Sequence, residues 1–483
     1  MKRRLGILGA GPKAIAIAAK WTALKQTTKM ELPDLTIIEP DEVGAAWGGD
    51  HGYTNGRLPL CTVPEYDLGF PYQDWPGYPK VIPHLWREFS WARYDSELAQ
   101  DYNAISGEME KYAHWVHRGA RAEAPEHGEF ASYLKWAFKR RHADVKYVRG
   151  MVSSIEVDDQ GHMLVGIQHR ESRAETREKY DGLVVTGCGP PRRFPGQPDH
   201  ADIFTGKDIW GAERWLRLSE TRERVEKEFK SRSQTPPKKI EVAIIGSGET
   251  AATIAIQLAK ADPAISIIII NRGAALFSRG EGFSEERLFT DLKPIAGPRP
   301  WAVMNRVARS SLIRQLDRGV ISPASMQKLS QIIRLEHHSI EVESIALTTG
   351  QIPITEQFTI AGKQWGQPMS GLFPAIIVCA GFDAWWFLGL SKGRVFEPMQ
   401  TAHSVICGGN RSNDASRSAF DKARTALEDQ QENLDESLAM LLSPTDWPRL
   451  HLPMLSGLKH GPGLPNLTCL GDLSDRILKP YLA

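Results

Sequence analysis

The sequence predicts an α/β protein made of two Rossmann-like units, the second inserted into the first. Two observations carry this. A short apolar run, then Gly-x-Gly-x-x-Ala, then a small-residue helical stretch occurs twice, as Gly9, Gly11, Ala14 and as Gly246, Gly248, Ala251. Two further strand-like runs end in glycine, DGLVVTG at Gly187 and PAIIVCAG at Gly381, and they bracket the second copy. This order predicts that the chain leaves the first unit, builds the second and returns. The expected division is 1–195, 196–370 and 371–483.

Each glycine has a physical task. The first permits a tight turn out of a strand, and the second lets backbone approach a pyrophosphate. The small third residue lets helix and strand pack closely, so that the helix N-terminus faces the phosphates. One such motif is also found as a plain structural turn; two with strand–turn–helix context point to two dinucleotides. The strand after each helix reports which one. LPDLTIIEP ends in Glu39, whose carboxylate suits ribose hydroxyls and repels a 2′-phosphate, as FAD or NAD requires. ISIIIINRG ends in Asn271 and Arg272, with no acid, and Arg272 suits the 2′-phosphate of NADPH; the alternative is a solvated loop arginine. An FAD domain interrupted by an NADPH domain is the layout of a two-nucleotide flavoprotein.

The remaining elements follow in order. The aromatic, Pro- and Gly-rich stretch WGGDHGYTNGRLPLCTVPEYDLGFPYQDWPGYP is too apolar for a linker and is expected to cover a ligand. HGEFASYLKWAFKRRH has amphipathic helical spacing. SETRERVEKEFKSRSQTPPKK reads as a charged helix with a solvated face, broken by Pro-Pro. The tail LSGLKHGPGLPNLTCLGDLSDRIL ends in a helix-like segment. A chain of 483 residues needs more than one core. A net charge of +1 gives no footprint for nucleic acid or an anionic membrane surface. No apolar run approaches the roughly 18 residues a membrane span needs, and MKRRLGILGAG breaks into the glycine turn instead of continuing as a signal peptide. The five cysteines contain no Cys-x-x-Cys, which argues against a disulfide reductase, a zinc ribbon or an iron–sulfur cluster, and suits a reducing cytoplasm. The 14 histidines form no His-Glu-x-x-His pattern, so no metal is expected.

GAGPKAIAIAAK, DLGFPY, RGEGFSEERLF, DRGV and the tail together resemble the flavin-dependent amine N-hydroxylases of siderophore biosynthesis, the lysine and ornithine N-monooxygenases. The likeness is closest to the mycobactin-type lysine N6-hydroxylases. It implies bound FAD, consumption of NADPH and O2, and conversion of a side-chain amine into a hydroxylamine through a C4a-hydroperoxyflavin. It places Gly9, Gly11, Pro12, Lys13 and Glu39 along FAD, with Trp47 near the flavin. It places Gly246, Gly248, Glu249 and Thr250 along the NADPH pyrophosphate, and Arg272 and Arg279 at its 2′-phosphate. Leu473, Ser474 and Asp475 match the tail segment that closes over flavin and substrate; the alternatives are packing for Trp47 and a helix cap for Asp475. A homodimer or tetramer is implied by the same resemblance.

The chain departs from the family pattern at the substrate positions. Tyr66 stands where a lysine usually pairs with the substrate carboxylate, Glu286 where an Asn is usual, and Asp317 where an Asn is often found, although the mycobactin-type enzymes share the Asp. If these side chains line the pocket, a cation is lost and an anion gained. That disfavours a free carboxylate and favours a diamine, a guanidine or a carboxylate-masked amino acid. If they lie outside it, lysine or ornithine is expected. Other functions stay open: a Baeyer–Villiger or sulfur oxygenase, against which Trp210 stands where the signature of Phe204 and Gly206 would need a His; a flavin reductase; or a flavin-binding partner without turnover.

Overall fold

The computed structural model describes residues 2–60, 125–278 and 300–482, with Phe89, Trp91, Arg93 and Tyr94, and without 52, 159, 195, 211, 317–318, 333, 351–353, 355, 409–413 and 444–445. Two sheets dominate it, the first mixed around a parallel centre and the second wholly parallel. In the first, the order is Ala439–Leu441, Arg449–His451, Gly182–Val185, Arg4–Leu8, Asp34–Glu39, Lys146–Val157, Met163–His169 and Glu175–Tyr180. The central strands are parallel, with Leu5 opposite both Leu35 and Gly182. Lys146–Val157 changes role along its length. Its start pairs parallel with Asp34–Glu39, and its later part forms an antiparallel hairpin with Met163–His169.

The second sheet runs Leu335–Ser339, Ile265–Asn271, Ile240–Ile245, Ala375–Val378 and Ile203–Thr205, all parallel. Its central strands are near-continuous aliphatic runs because both faces are covered. One face packs the Glu249–Ala261 helix through Ala251, Ala252, Ile254 and Ala255. The other packs an antiparallel meander, Glu341–Thr349, Glu356–Gln364 and Gln367–Phe373, through Ile345, Phe358 and Ile360. Ala375–Val378 pairs with Ile240–Ile245, so the second sheet extends past residue 370, where the sequence division closes it. The return to the first unit follows this strand, at the run that ends in Gly381.

The two crossings lie against each other. Pro191 and Phe382 form an antiparallel bridge, Asp383 N–H donates to Pro190 O at 2.8 Å, and Arg192 N–H donates to Gly381 O at 3.0 Å. Gly189 has φ +75°, and a Cβ there would lie 2.2 Å from Asp383 O, so this approach requires glycine.

Helix Pro12–Thr27 is buried on every side from Lys13 to Leu24. Its alanines let the sheet, the His127–Lys139 helix and the tail helix Leu470–Leu478 pack around it in one core. The charged Ala212–Ser231 helix is less solvated than its composition predicts: Leu218 and Val225 are buried, and Asp202, fully buried, accepts from Arg217, Thr221 and Arg224. No described helix is long and apolar enough to cross a membrane.

Candidate functional site

At the C-terminal end of Arg4–Leu8 the chain turns through Gly9, at φ +91°, whose N–H donates to Ile38 O at 2.8 Å. Gly11 is the N-cap of Pro12–Thr27, and no side chain caps it. A Cβ on Gly11 would meet nothing within 4 Å. The first-turn amides therefore face open space at the positive end of the helix dipole. Glu39 lies against this turn. Its carboxylate accepts from Ala10 N–H at 2.8 Å and Asp41 N–H at 3.0 Å, and burial pushes its pKa up. The spare lone pairs of those oxygens are the acceptors that a ribose needs.

Pro12 opens the helix, and Lys13 is buried at its first turn, close enough to Cys188 to act on it electrostatically. Lys207 acts on the same thiol and lies 4.4 Å over the Tyr53 ring. Trp47 is half-buried, edge-on to His127 at 4.9 Å and to Phe130 at 5.4 Å. His127 hydrogen bonds to Thr54 Oγ1 at 2.8 Å, and burial pushes its pKa down to about 4, so the ring is neutral near pH 7. No sequence motif marks His127, Cys188 or Lys207. Each is a lone residue whose neighbours come from distant segments.

The second turn repeats the arrangement. Gly246 has φ +135°, and a Cβ there would lie 2.3 Å from Cys379 O. Gly248 is the N-cap of Glu249–Ala261, again without a side-chain cap. Thr250 is half-buried with its methyl facing Gly206. The Glu249 carboxylate turns away from its own helix. It accepts from Ser322 N–H at 2.6 Å, from Ser322 Oγ at 3.1 Å and from Ser325 Oγ, and so braces Ser322, the N-cap of the Pro323–Ser330 helix. At the strand tip Asn271 Oδ1 accepts from Gly273 N–H at 3.0 Å and holds the turn, which leaves Arg272 exposed with no described partner.

The tail residues turn inward. Leu473 and Ser474 are fully buried, and Ser474 Oγ donates to Leu470 O at 2.6 Å. Asp475 pairs with the fully buried Lys20 of Pro12–Thr27 at 2.7 Å. Burial pushes Lys20 down to about 8 and Asp475 up to about 6, so both remain charged near pH 7. Asp475 caps no helix; it lies within Leu470–Leu478. Trp210 buries its ring and donates to Gly206 O at 3.0 Å. Tyr66, Arg279, Glu286 and Asp317 lie outside the described residues.

The fold and its two bare helix N-termini define an α/β protein of the two-nucleotide class. The family model for L-lysine 6-monooxygenase/L-ornithine 5-monooxygenase matches residues 108–344. The chain is 31% identical to the L-lysine N6-monooxygenase MbtG of Mycolicibacterium paratuberculosis, over 98% of its own length and 94% of that protein. It shares 26% identity and a TM-score of 0.68 with the lysine monooxygenase NbtG from Nocardia farcinica, covering 99% of this chain and 100% of that one. The cadaverine monooxygenase DfoA from Erwinia amylovora shares the fold, with a TM-score of 0.64 at 12% identity, covering 100% and 94%. The chain belongs to the L-lysine 6-monooxygenase/L-ornithine 5-monooxygenase family.

Proposed function

We propose that this chain N-hydroxylates a primary side-chain amine, with FAD held at the Gly9–Gly11 turn and NADPH at the Gly246–Gly248 turn. The observation that carries the reading is the pairing of each uncapped helix N-terminus with a different strand-tip residue, Glu39 at the first and the exposed Arg272 at the second. The residues fit both groups. The turn at Gly11 is open to a pyrophosphate in that a Cβ there would meet nothing within 4 Å, Glu39 would accept from ribose hydroxyls, and Arg272 would offer charge to a 2′-phosphate. The Glu249 side chain contributes to the second site only indirectly, by holding Pro323–Ser330 against the turn.

Bound FAD supplies the hydride acceptance and oxygen activation that amino-acid side chains lack. The protein's part is to bind, orient and exclude water. Trp47, Phe130 and the neutral His127 form an apolar wall beside the first turn. A desolvated pocket favours the uncharged amine, whose free pKa near 10.4 otherwise keeps it protonated. Lysine or ornithine is the expected substrate class, with a diamine or carboxylate-masked amine as the alternative that Tyr66 and Glu286 raise. The fold does not choose between them, since lysine and cadaverine monooxygenases share it. A reducing cytoplasm and a dimer or tetramer complete the reading.

The test is NADPH consumption and hydroxylamine yield with FAD-loaded protein, offering lysine, ornithine, cadaverine, putrescine and arginine side by side. Hydroxylamine from lysine or ornithine alone supports the amino-acid reading. Product only from amines without a free carboxylate supports the alternative. NADPH oxidation without hydroxylamine from any of them contradicts N-hydroxylation of these amines.

A further inference from the structure

Asp383, His403 and Cys407 meet on the surface where the chain returns from the second unit. Asp383 sits two residues past Gly381. His403 and Cys407 lie one turn apart on the Glu397–Gly408 helix and so share a face. His403 Nε2 is 2.8 Å from Asp383 Oδ2 and 3.3 Å from Cys407 Sγ. One oxygen, one nitrogen and one sulfur donor thus lie within 4.8 Å of one another.

A nucleophilic triad does not account for this set. There, the orienting carboxylate and the nucleophile use different ring nitrogens. Here both face Nε2, which leaves no relay through the ring. Three different donor atoms gathered this closely, without the order of a triad, suit a ligand set.

We propose that Asp383, His403 and Cys407 bind a thiophilic divalent cation, Zn2+ foremost, with a fourth position open to water. A tetrahedral Zn2+ with its usual bond lengths separates nitrogen and oxygen ligands by about 3.3 Å and nitrogen and sulfur ligands by about 3.6 Å. The observed contacts lie within about half an ångström of those spacings. The mixed sulfur and imidazole donors favour zinc over magnesium or calcium. Exposure of Cys407 leaves one side open, while the Asp383 and His403 side chains are each only 18% exposed. Asp383 is held from behind: its Oδ1 accepts from Trp385 N–H at 3.0 Å, and its own N–H donates to Pro190 O. Because that contact joins the two crossings, a bound cation would also fasten the junction of the units to the Glu397–Gly408 helix.

The test uses full-length, FAD-loaded protein freed of metal with a chelator and titrated with Co2+, then Zn2+, read by difference absorbance. One equivalent of Co2+ should produce a thiolate-to-metal charge-transfer band that Zn2+ abolishes. Cys407→Ser, at an exposed position, should remove the band, and His403→Ala should weaken binding at least tenfold. A wild-type protein without a stoichiometric band overturns the proposal, as does a band that persists in Cys407→Ser. Should His403→Ala not fold, Cys407→Ser alone decides.

Discussion

Gly11 and Gly246 require glycine on different grounds. At Gly246 a side chain would run into the Cys379 carbonyl, and φ lies in the left-handed region. Gly246→Ala should therefore destabilise the protein itself, by about 1–3 kcal/mol of strain, visible as a lowered Tm. At Gly11 φ is −82° and the space is open. Gly11→Ala should leave the Tm of the FAD-free protein nearly unchanged while weakening FAD binding about tenfold or more, or about 1.4 kcal/mol. Equal FAD affinity in wild type and variant would remove the pyrophosphate from this turn. Arg272→Ala should raise KM for NADPH about tenfold, from loss of a charge-assisted contact, and leave KM for NADH unmoved; an equal rise for both cofactors would place Arg272 elsewhere. These turns were legible in sequence because each is local: the glycines, the helix they open and the strand-tip residue lie within thirty or so residues.

At the scale of elements, the tail helix is fastened to the first glycine-turn helix by Lys20 and Asp475. With side chains 0% and 19% exposed, the pair is buried, and removing one partner strands the other charge. Asp475→Asn should cost about 3–5 kcal/mol in chemical unfolding. Replacing both residues, Lys20→Met with Asp475→Leu, should recover most of that loss. An unchanged unfolding midpoint in Asp475→Asn, together with a raised KM for the amine, would instead place Asp475 at the substrate. This pairing was hidden in sequence because 455 residues separate its members. The side chain of Glu249 also reaches beyond what its motif suggests. Its place in the motif points to the nucleotide, yet its oxygens serve a serine pair about 75 residues on. The Asp383, His403 and Cys407 cluster is hidden in sequence because one His and one Cys a helical turn apart make no paired-cysteine pattern, and the third donor comes from another segment.

For the whole molecule, the insertion of one Rossmann unit into another was readable from two glycine turns and two bracketing strands, since strand burial and turn chemistry are written locally. The boundary near 370 was not, because the meander before Ala375–Val378 packs on the sheet that this strand completes. Burial also sets the response to acid. His127, His451 and His460 are each pushed down to about 4, so the unfolded chain binds more protons than the folded one between about pH 6.5 and 4. Stability is lost as pH falls through that window, by up to roughly 3 kcal/mol for each ring. Asp475, pushed up to about 6, and Glu39, also raised by burial, work in the opposite direction over part of it, and the three rings set the expected net loss. Urea unfolding at a series of pH values checks this, and a flat profile from pH 7 to 4 would contradict it.

The most direct test of two-nucleotide N-hydroxylation is anaerobic mixing of FAD-loaded protein with NADPH, followed by admission of O2 and lysine or ornithine. The oxidised flavin absorbance should bleach with NADPH and return on aeration, with hydroxylamine formed in proportion to the NADPH consumed. Flavin that NADPH does not bleach would contradict the assignment of the two glycine turns, and full cycling without hydroxylamine would contradict N-hydroxylation of these amino acids.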